Sequence, residues 1–237
     1  RRQRQMCIRD RLCRFLRGKG ARIEGDGTET IRIEGVSSLE DSEFIFSSDR
    51  IVAGTYLFGG VLTRGRVFLE GAETGTLTEV LKVIEKTGAV VHTSPRGIFL
   101  DAREAFLPVG RVETSPYPGF PTDAQPVLMA ALLKSAGSTV FVENIFENRY
   151  RHVDELARMG AEVRVAGRVA VVTGREHLHG ARVKCTDLRA GAALVIAGLQ
   201  ADGLTRISRI EHIDRGYESI ERDLGVLGAH VRRETGT

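Results

Sequence analysis

The stretch "TDLRAGAALVIAGLQADG", residues 186–203, decides the fold, because related stretches occur twice earlier in the chain. These are "SDRIVAGTYLFGGVLTRG" at 48–65 and "TDAQPVLMAALLKSAG" at 122–137. Each begins with a hydroxyl residue and an aspartate, continues apolar on nearly all sides, and ends in glycine. A helix that is apolar all round is typically buried. The sequence therefore predicts three equivalent buried helices.

Four Gly-Ala pairs indicate the same internal repeat. They begin at Gly20, Gly88, Gly160 and Gly228, at spacings of 68, 72 and 68 residues. Each follows a helix-like run and precedes β-forming residues, and glycine just beyond a helix is the usual left-handed cap. Each buried helix is followed by a short alternating strand and an amphipathic helix, and the first two units then close with a hairpin. A further strand is predicted before each buried helix, in "EFIFSS", "GRVETS" and "ARVKCT".

We therefore expect an α/β fold built from repeated βαβαββ units. Three copies are predicted at about 43–110, 111–180 and 181–237, forming one lobe, and residues 12–42 are interpreted as the end of an earlier unit. Residues 1–11 carry five arginines against one aspartate, so without them the formal net charge falls from +3 to −1. We interpret this segment as a non-native leader. A nucleic-acid module is the weakest reading, because its support ends with this segment.

The composition is that of an ordinary globular protein, with 42% hydrophobic and 27% charged residues among 237. No apolar run approaches the roughly 18–20 residues of a membrane-spanning helix. Cys7, Cys13 and Cys185 are odd in number and lack metal-ligand spacing, which is typical of cytoplasmic thiols. His177 and His179 have no acidic residue or cysteine at the spacing of a metal site beside them. We expect a cytoplasmic protein that binds no metal, membrane or nucleic acid.

Arginines lie at or near the predicted helix starts: Arg50, Arg149, Arg151, Arg189 and Arg215. A cation is disfavoured at the positive end of a helix, so stability does not explain this pattern. Repeated units around a common axis bring equivalent helix starts together, and such ends bind anions. The sequence therefore predicts an anion site. The alternative, that each arginine pairs with a neighbouring aspartate at Asp49, Asp187 or Asp214, stays open at this point.

The segment "YPGFPTDAQP", residues 117–126, delivers Asp123 to a predicted helix start. Its prolines fix φ and reduce the freedom of the loop. An aspartate at this position would serve as an ordinary N-cap. The stiffness of the loop favours a second interpretation, in which the carboxylate is held for a ligand. His152 and His212 lie beside the arginine-rich helix starts and are either ligand contacts or packing residues.

Four motifs in order resemble the UDP-N-acetylglucosamine enolpyruvyl transferases (1-carboxyvinyltransferases) of bacterial peptidoglycan synthesis. They are "YPGFPTDAQ" at 117–125, "FENRYRHVDELARMGA" at 146–161, "TDLRAGAALVIAGL" at 186–199 and "HIDRGYESIERDLGVLGA" at 212–229. The resemblance runs from about Leu12 to the C-terminus. It implies an enolpyruvyl-transferase-like lobe of βαβαββ units about a pseudo-threefold axis. The family has two such lobes.

The resemblance also implies the chemistry. The enolpyruvyl group of phosphoenolpyruvate moves to the 3-hydroxyl of UDP-N-acetylglucosamine by addition and elimination, with release of phosphate and without metal or organic cofactor. It implies that Asp123, Asp187, Arg189 and Arg215 are the catalytic residues, with Arg189 and Arg215 also holding phosphoenolpyruvate. The residues implied to bind the nucleotide sugar are Thr122, Asp123, Ile145, Phe146, Glu147, Asn148 and Arg149.

Apart from residues 12–42, interpreted as the remnant of its last repeat, the family's first lobe is missing from this sequence, and its reactive-cysteine loop is missing with it. We therefore expect the 237-residue chain by itself to lack transferase activity. Two other functions stay open: an enolpyruvyl transferase with another acceptor, such as shikimate 3-phosphate, and a non-catalytic relative that binds nucleotide sugars. The oligomeric state is not predicted.

Overall fold

The computed structural model describes residues 2–26, 28, 30–46, 48–104 and 106–234. Its N-terminal segment contains α1 (Arg2–Gly18) and two antiparallel strands, β1 (Arg22–Glu24) and β2 (Arg32–Glu34). Helix α1 runs without a break through the proposed boundary between residues 11 and 12. The assignment of residues 1–11 to a leader and of 12–42 to an earlier unit remains a proposal.

Three further sets of elements follow along the chain. The first contains α2 (Arg50–Leu62), β3 (Arg66–Glu70), a 3-10 helix (Thr74–Thr76), α3 (Thr78–Lys86), β4 (Val90–Ser94) and β5 (Gly97–Asp101). The second contains β6 (Arg111–Glu113), α4 (Gln125–Ala131), β7 (Ser138–Val142), a 3-10 helix (Arg149–His152), α5 (Val153–Ala157), β8 (Glu162–Ala166) and β9 (Val169–Thr173). The third contains β10 (Leu178–His179), β11 (Arg182–Lys184), α6 (Leu188–Gly198), β12 (Ala201–Asp202), β13 (Arg206–Ser208), α7 (Glu211–Asp214) and α8 (Ile220–Val226).

The strand pairing follows the repeat. In the first set the sheet order is β3-β5-β4, all antiparallel, and in the second it is β6-β7-β9-β8. The leading strand pairs in parallel with the strand after the buried helix in both later sets, β6 with β7 and β11 with β13. The predicted α/β architecture of repeated units is confirmed, whereas the boundaries at 43, 111 and 181 remain proposals.

The three apolar helices α2, α4 and α6 pack against one another in the centre of the core. Phe58, Leu128 and Ile196, one from each helix, are fully buried. A Cβ at Gly59 would lie 3.2 Å from Ile196 Cδ1, so this glycine allows α2 to approach α6 closely. Mutual contact of the three helices is the arrangement expected for units about a common axis.

The four predicted glycine caps are confirmed, since Gly20, Gly88, Gly160 and Gly228 have φ values of 91°, 88°, 85° and 94°. The predicted strand in "EFIFSS" is wrong: the described residues of this stretch form no strand, and Ile45 and Phe46 are exposed. The reason is the lack of a pairing partner, because β3 pairs only with β5 in the described chain. Among the described residues, none of the helices has both the length and the apolar character needed to cross a bilayer.

Candidate functional site

Asp123 lies at the centre of a cluster of charged side chains. Helix α4 begins at Gln125 with Ala124 in the N-cap position, so Asp123 is not the cap. Its Oδ1 accepts a hydrogen bond from Arg149 Nη2 at 2.9 Å, and its Oδ2 accepts one from Arg189 Nη2 at 3.3 Å. The side chains of Asp123, Arg149 and Arg189 are only 14%, 9% and 8% exposed. One carboxylate is thus held between two largely buried guanidinium groups.

Asp49 and Asp187 have a different role from Asp123. Each is an N-cap: Asp49 Oδ1 accepts from Ile51 N at 2.7 Å, and Asp187 Oδ1 accepts from the backbone N–H groups of Arg189 and Ala190, both at 2.9 Å. The alternative that each arginine side chain pairs with its neighbouring aspartate is therefore wrong for Arg189, whose guanidinium binds Asp123.

Arg50 links the start of α2 to the proline-rich loop, because its guanidinium carbon lies 5.3 Å from the centroid of the Tyr117 ring. Cation–π contacts of this kind are attractive within about 6 Å. The loop itself contains a cis peptide bond between Tyr117 and Pro118. The start of α2 thus contacts the same loop that carries Thr122 and Asp123.

Glu143, directly after β7, is a functional candidate that the sequence reasoning missed. It is only 1% exposed, yet its Oε1 accepts hydrogen bonds from the side chains of Thr114 and Thr122 and from the N–H groups of Ile145 and Phe146, at 2.9–3.0 Å. A signal for it was present in the sequence. Alternation along "TVFVEN" places Glu143 on the same face as the buried Phe141, and a carboxylate is almost never buried there without partners.

Thr122 connects Glu143 to Arg149. Its Oγ1 lies 3.0 Å from both carboxylate oxygens of Glu143, and it accepts a hydrogen bond from Arg149 Nε at 3.1 Å. Arginine can only donate, so the hydroxyl proton of Thr122 is directed to Glu143. Thr122 was predicted to bind the nucleotide sugar, but in the described structure its hydroxyl is hydrogen-bonded to Glu143 and Arg149.

The loop at 144–149 carries the other residues predicted to bind the nucleotide sugar. The N–H groups of Ile145 and Phe146 donate hydrogen bonds to Glu143. The Arg149 guanidinium carbon lies 4.4 Å from the Phe146 ring centroid. Glu147 and Asn148 are exposed in the same loop. The structure thus attaches Arg149 to Asp123 while its neighbours face solvent.

Arg215 lies farther from the start of the following helix than predicted. It follows the last residue of α7, Asp214, and α8 begins only at Ile220. Arg215 is exposed, and the described part of the chain gives it no hydrogen bond or ion pair. Its neighbour Asp214 pairs with Arg233 at 2.7 Å, and this pairing lowers the pKa of Asp214. Hydrogen bonds join Thr122, Asp123, Arg149 and Arg189, and Arg215 makes none with them in the described part of the chain.

Several buried polar atoms near the cluster have no hydrogen-bond partner of good geometry among the described residues: Gln125 Oε1 and Nε2, His152 Nε2, Thr186 Oγ1, and Arg189 Nε and Nη1. Buried polar groups are normally satisfied by protein, water or ligand. Arg189 also lies in the first turn of α6, an eleven-residue helix whose N-terminus favours negative charge. The donors among these atoms, Arg189 Nε and Nη1 and Gln125 Nε2, suit an anionic ligand.

His152 is neutral at physiological pH. It is 1% exposed, and its Nδ1 lies 3.2 Å from the carbonyl oxygen of Arg149, so Nδ1 carries the proton that this bond requires. Burial lowers the pKa of His152 to about 4, and the nearby Asp187 opposes that shift only in part. The described residues contain no group of three or more His, Cys, Asp or Glu side chains that could hold a metal ion.

Replacing His152 by Asn should remove part of the acid sensitivity of the protein. The pKa of His152 is about 4 in the folded chain and about 6.5 when unfolded, so between these values only the unfolded chain binds the proton. Stability therefore falls as the pH drops through this window, by about 2–3 kcal/mol for this residue. Urea unfolding at pH 4.5 and 7 should show a smaller difference for H152N than for wild type. Equal differences would contradict the prediction, and the exposed His92→Asn serves as control.

A family model and curated proteins similar to this chain are named as carboxyvinyl (enolpyruvyl) transferases. The family model described as EPSP synthase (3-phosphoshikimate 1-carboxyvinyltransferase) matches residues 4–224. The chain is 48% identical over 223 residues to UDP-N-acetylglucosamine 1-carboxyvinyltransferase 2 of Carboxydothermus hydrogenoformans, covering 94% of this chain and 53% of that relative. It is 46% identical to the UDP-N-acetylglucosamine 1-carboxyvinyltransferase of Nitratidesulfovibrio vulgaris (strain DP4), covering 94% and 54%. The chain thus spans about half the length of the curated relatives it matches.

Solved structures show the same fold. The enolpyruvyl transferase NikO from Streptomyces tendae superimposes with a TM-score of 0.81 at 29% identity, covering 93% of this chain and 53% of NikO. EPSP synthase from Acinetobacter baumannii superimposes with a TM-score of 0.74 at 20% identity, covering 93% and 55%, which supports the fold alone. Together with the family match over residues 4–224, these findings show that the chain belongs to the EPSP synthase family of enolpyruvyl (1-carboxyvinyl) transferases.

Proposed function

We propose that this chain contributes the residues that bind the nucleotide sugar in an enolpyruvyl transferase. The enzyme acts on UDP-N-acetylglucosamine in the first committed step of peptidoglycan synthesis. The observation that carries the proposal is the Asp123 carboxylate held by the guanidinium groups of Arg149 and Arg189. Relatives at 44–48% identity are named for this acceptor, which supports UDP-N-acetylglucosamine over shikimate 3-phosphate.

In the proposed reaction the 3-hydroxyl of the sugar loses its proton and its oxygen bonds to C2 of phosphoenolpyruvate, while the C2–C3 double bond opens and C3 gains a proton. Loss of phosphate from C2 and of a proton from C3 then gives the enolpyruvyl ether. Asp123 accepts a hydrogen bond from the 3-hydroxyl and orients it, and correct orientation is itself a large part of catalysis. No metal or organic cofactor takes part in this scheme.

The remaining predicted residues are given proposed roles that follow their positions. Arg189, with buried unpaired donors at the start of α6, binds an anionic group of phosphoenolpyruvate or of the adduct. Asp187 contributes by capping that helix and fixing its first turn. Arg215 is exposed and so reaches phosphoenolpyruvate only if the ligand or the protein approaches it. The loop at 144–149 contacts the nucleotide sugar through Ile145, Phe146, Glu147 and Asn148.

The proposed partners are the two small substrates, with neither nucleic acid nor membrane. We also propose a cytoplasmic location, which agrees with the free thiols of Cys13 and Cys185. Both cysteines are buried, and burial raises the pKa of Cys185 to about 12, so its thiol is unsuited to act as a nucleophile.

A chimera tests the proposed function. Residues of this chain would replace the matching 223-residue region of the Carboxydothermus hydrogenoformans relative, with circular dichroism to check folding. We expect phosphate release that requires both phosphoenolpyruvate and UDP-N-acetylglucosamine, and a fall on the order of 100-fold or more for Asp123→Ala. Phosphate release from phosphoenolpyruvate with shikimate 3-phosphate, but not with UDP-N-acetylglucosamine, would identify the other acceptor class. Binding of UDP-N-acetylglucosamine without release would favour the non-catalytic alternative.

A further inference from the structure

We propose that Glu143 is a positioning residue that holds the loop at 117–124 against the loop at 144–149, so that Arg149 faces Asp123. Its hydrogen bonds reach three separate segments: Thr114 at the end of β6, Thr122 before α4, and the backbone of Ile145 and Phe146 after β7. A single side chain thus joins both loops that carry the candidate nucleotide-sugar residues.

The burial of Glu143 supports a specific role. A carboxylate that is 1% exposed is costly unless it is well hydrogen-bonded, and an apolar side chain of similar size often gives equal or better stability. Here the two consecutive N–H groups of Ile145 and Phe146 converge on Oε1, at 2.9 Å each. An apolar residue could not accept these bonds, so the loop conformation depends on an oxygen at this position.

A continuous chain of hydrogen bonds then connects Glu143 to Asp123. Glu143 accepts the proton of Thr122, Thr122 accepts from Arg149 Nε, and Arg149 Nη2 donates to Asp123. A guanidinium group is planar, so bonds at Nε and Nη2 together determine its orientation. Without Glu143, the Thr122 hydroxyl loses its acceptor, and the orientation of Arg149 is no longer determined from that side.

The same geometry restricts how the loop at 144–149 contacts a ligand. The N–H groups of Ile145 and Phe146 donate their hydrogen bonds to Glu143. A backbone contact from Ile145 to the nucleotide sugar therefore has to come from the carbonyl oxygen of Ile145. That group accepts hydrogen bonds and suits a donor on the uracil or the sugar. Glu143 therefore also sets the polarity of this part of the candidate site.

The test compares Glu143→Ala, Glu143→Gln and Thr122→Val in the 237-residue chain. The matched control is Glu176→Gln, because the Glu176 side chain is 90% exposed. The first measurement is the rate at which Arg149 Nε–H exchanges with water, followed by ¹⁵N NMR without ligand and assigned with Arg149→Lys. The second is the Kd for UDP-N-acetylglucosamine, and only this measurement rests on the proposed function.

We expect E143A and T122V to speed Arg149 Nε–H exchange at least about tenfold and to weaken nucleotide-sugar binding by about 10–100-fold. E143Q keeps an acceptor oxygen in place, so it should stay within about threefold of wild type in both measurements, as should E176Q. If E143A fails to fold, T122V still tests the hydrogen bond through which Glu143 acts on Arg149. Wild-type exchange in T122V, or equal behaviour of E143Q and a folded E143A, would overturn the proposal. Absence of UDP-N-acetylglucosamine binding by wild type counts against the proposed function, whereas the exchange rates still test Glu143.

Discussion

Replacing Asp123 by alanine should lower the free energy of unfolding by about 3–5 kcal/mol, because two largely buried guanidinium groups lose their shared counter-ion. Arg149 and Arg189 are 9% and 8% exposed, so water cannot readily replace the carboxylate. Arg189 already has two donor nitrogens, Nε and Nη1, without a hydrogen-bond partner of good geometry, so losing Asp123 would add a third. Urea-induced unfolding at neutral pH, followed by circular dichroism, would measure the loss.

Asp49→Ala is the matched control for Asp123→Ala. Asp49 follows a hydroxyl residue and precedes an apolar helix, as Asp123 does, but among the described residues its carboxylate accepts hydrogen bonds from the first turn of α2 alone, as an N-cap. Loss of an N-cap typically costs about 1 kcal/mol. Asp123→Asn keeps the shape and one acceptor oxygen, so it should fall between the two. A loss for D123A no larger than for D49A would show that the two guanidinium groups do not depend on the carboxylate.

Replacing Phe141 by alanine should also cost about 3–5 kcal/mol, because a fully buried aromatic side chain would leave a cavity in the core. Phe141 lies in β7 between β6 and β9, in register with Val112 and Ala170. These neighbours are buried too, and strands paired on both sides cannot easily collapse into the space. The measurement is again urea-induced unfolding.

Phe68→Ala provides the comparison. In "RVFLEG" and "TVFVEN" the two phenylalanines occupy the same apparent repeat position, yet Phe68 is 46% exposed and Phe141 is fully buried. Successive strand residues point to opposite faces, so F68A should cost less than about 1 kcal/mol. Phe141→Leu should cost less than F141A, because it removes less volume. Similar losses for F68A and F141A would contradict the assigned register.

The helices, their caps and the order of the elements could be predicted because local chemistry determines them. Asp49 and Asp187 precede apolar runs and cap them, and each Gly-Ala pair supplies the left-handed residue beyond a helix. The family motifs also named Thr122, Asp123, Arg149 and Arg189 as site residues, and hydrogen bonds join these four in the structure, whereas their roles stay predictions. These features depend on residues close in sequence or on motifs long enough to identify the family.

The features that could not be predicted depend on partners distant in sequence. "EFIFSS" has the alternation of a strand but finds no strand beside it in the described chain. Arg215 was placed near a helix start, but the segment after α7 remains non-helical up to Ser219. The one-residue difference in strand register between "RVFLEG" and "TVFVEN" is invisible in the motif, since it changes which face is buried and not which residues are present.

The ion cluster has a consequence for synthesis of the protein on the ribosome. Asp123 and Arg189 are 66 residues apart, and chains grow at about 5–20 residues per second, so Asp123 is synthesised roughly 3–13 s before its second partner. During that interval only Arg149, 26 residues downstream, becomes available. Until the last unit is translated, the nascent chain therefore lacks one of the two guanidinium groups that hold Asp123, and codons that slow translation between positions 149 and 189 would prolong this interval.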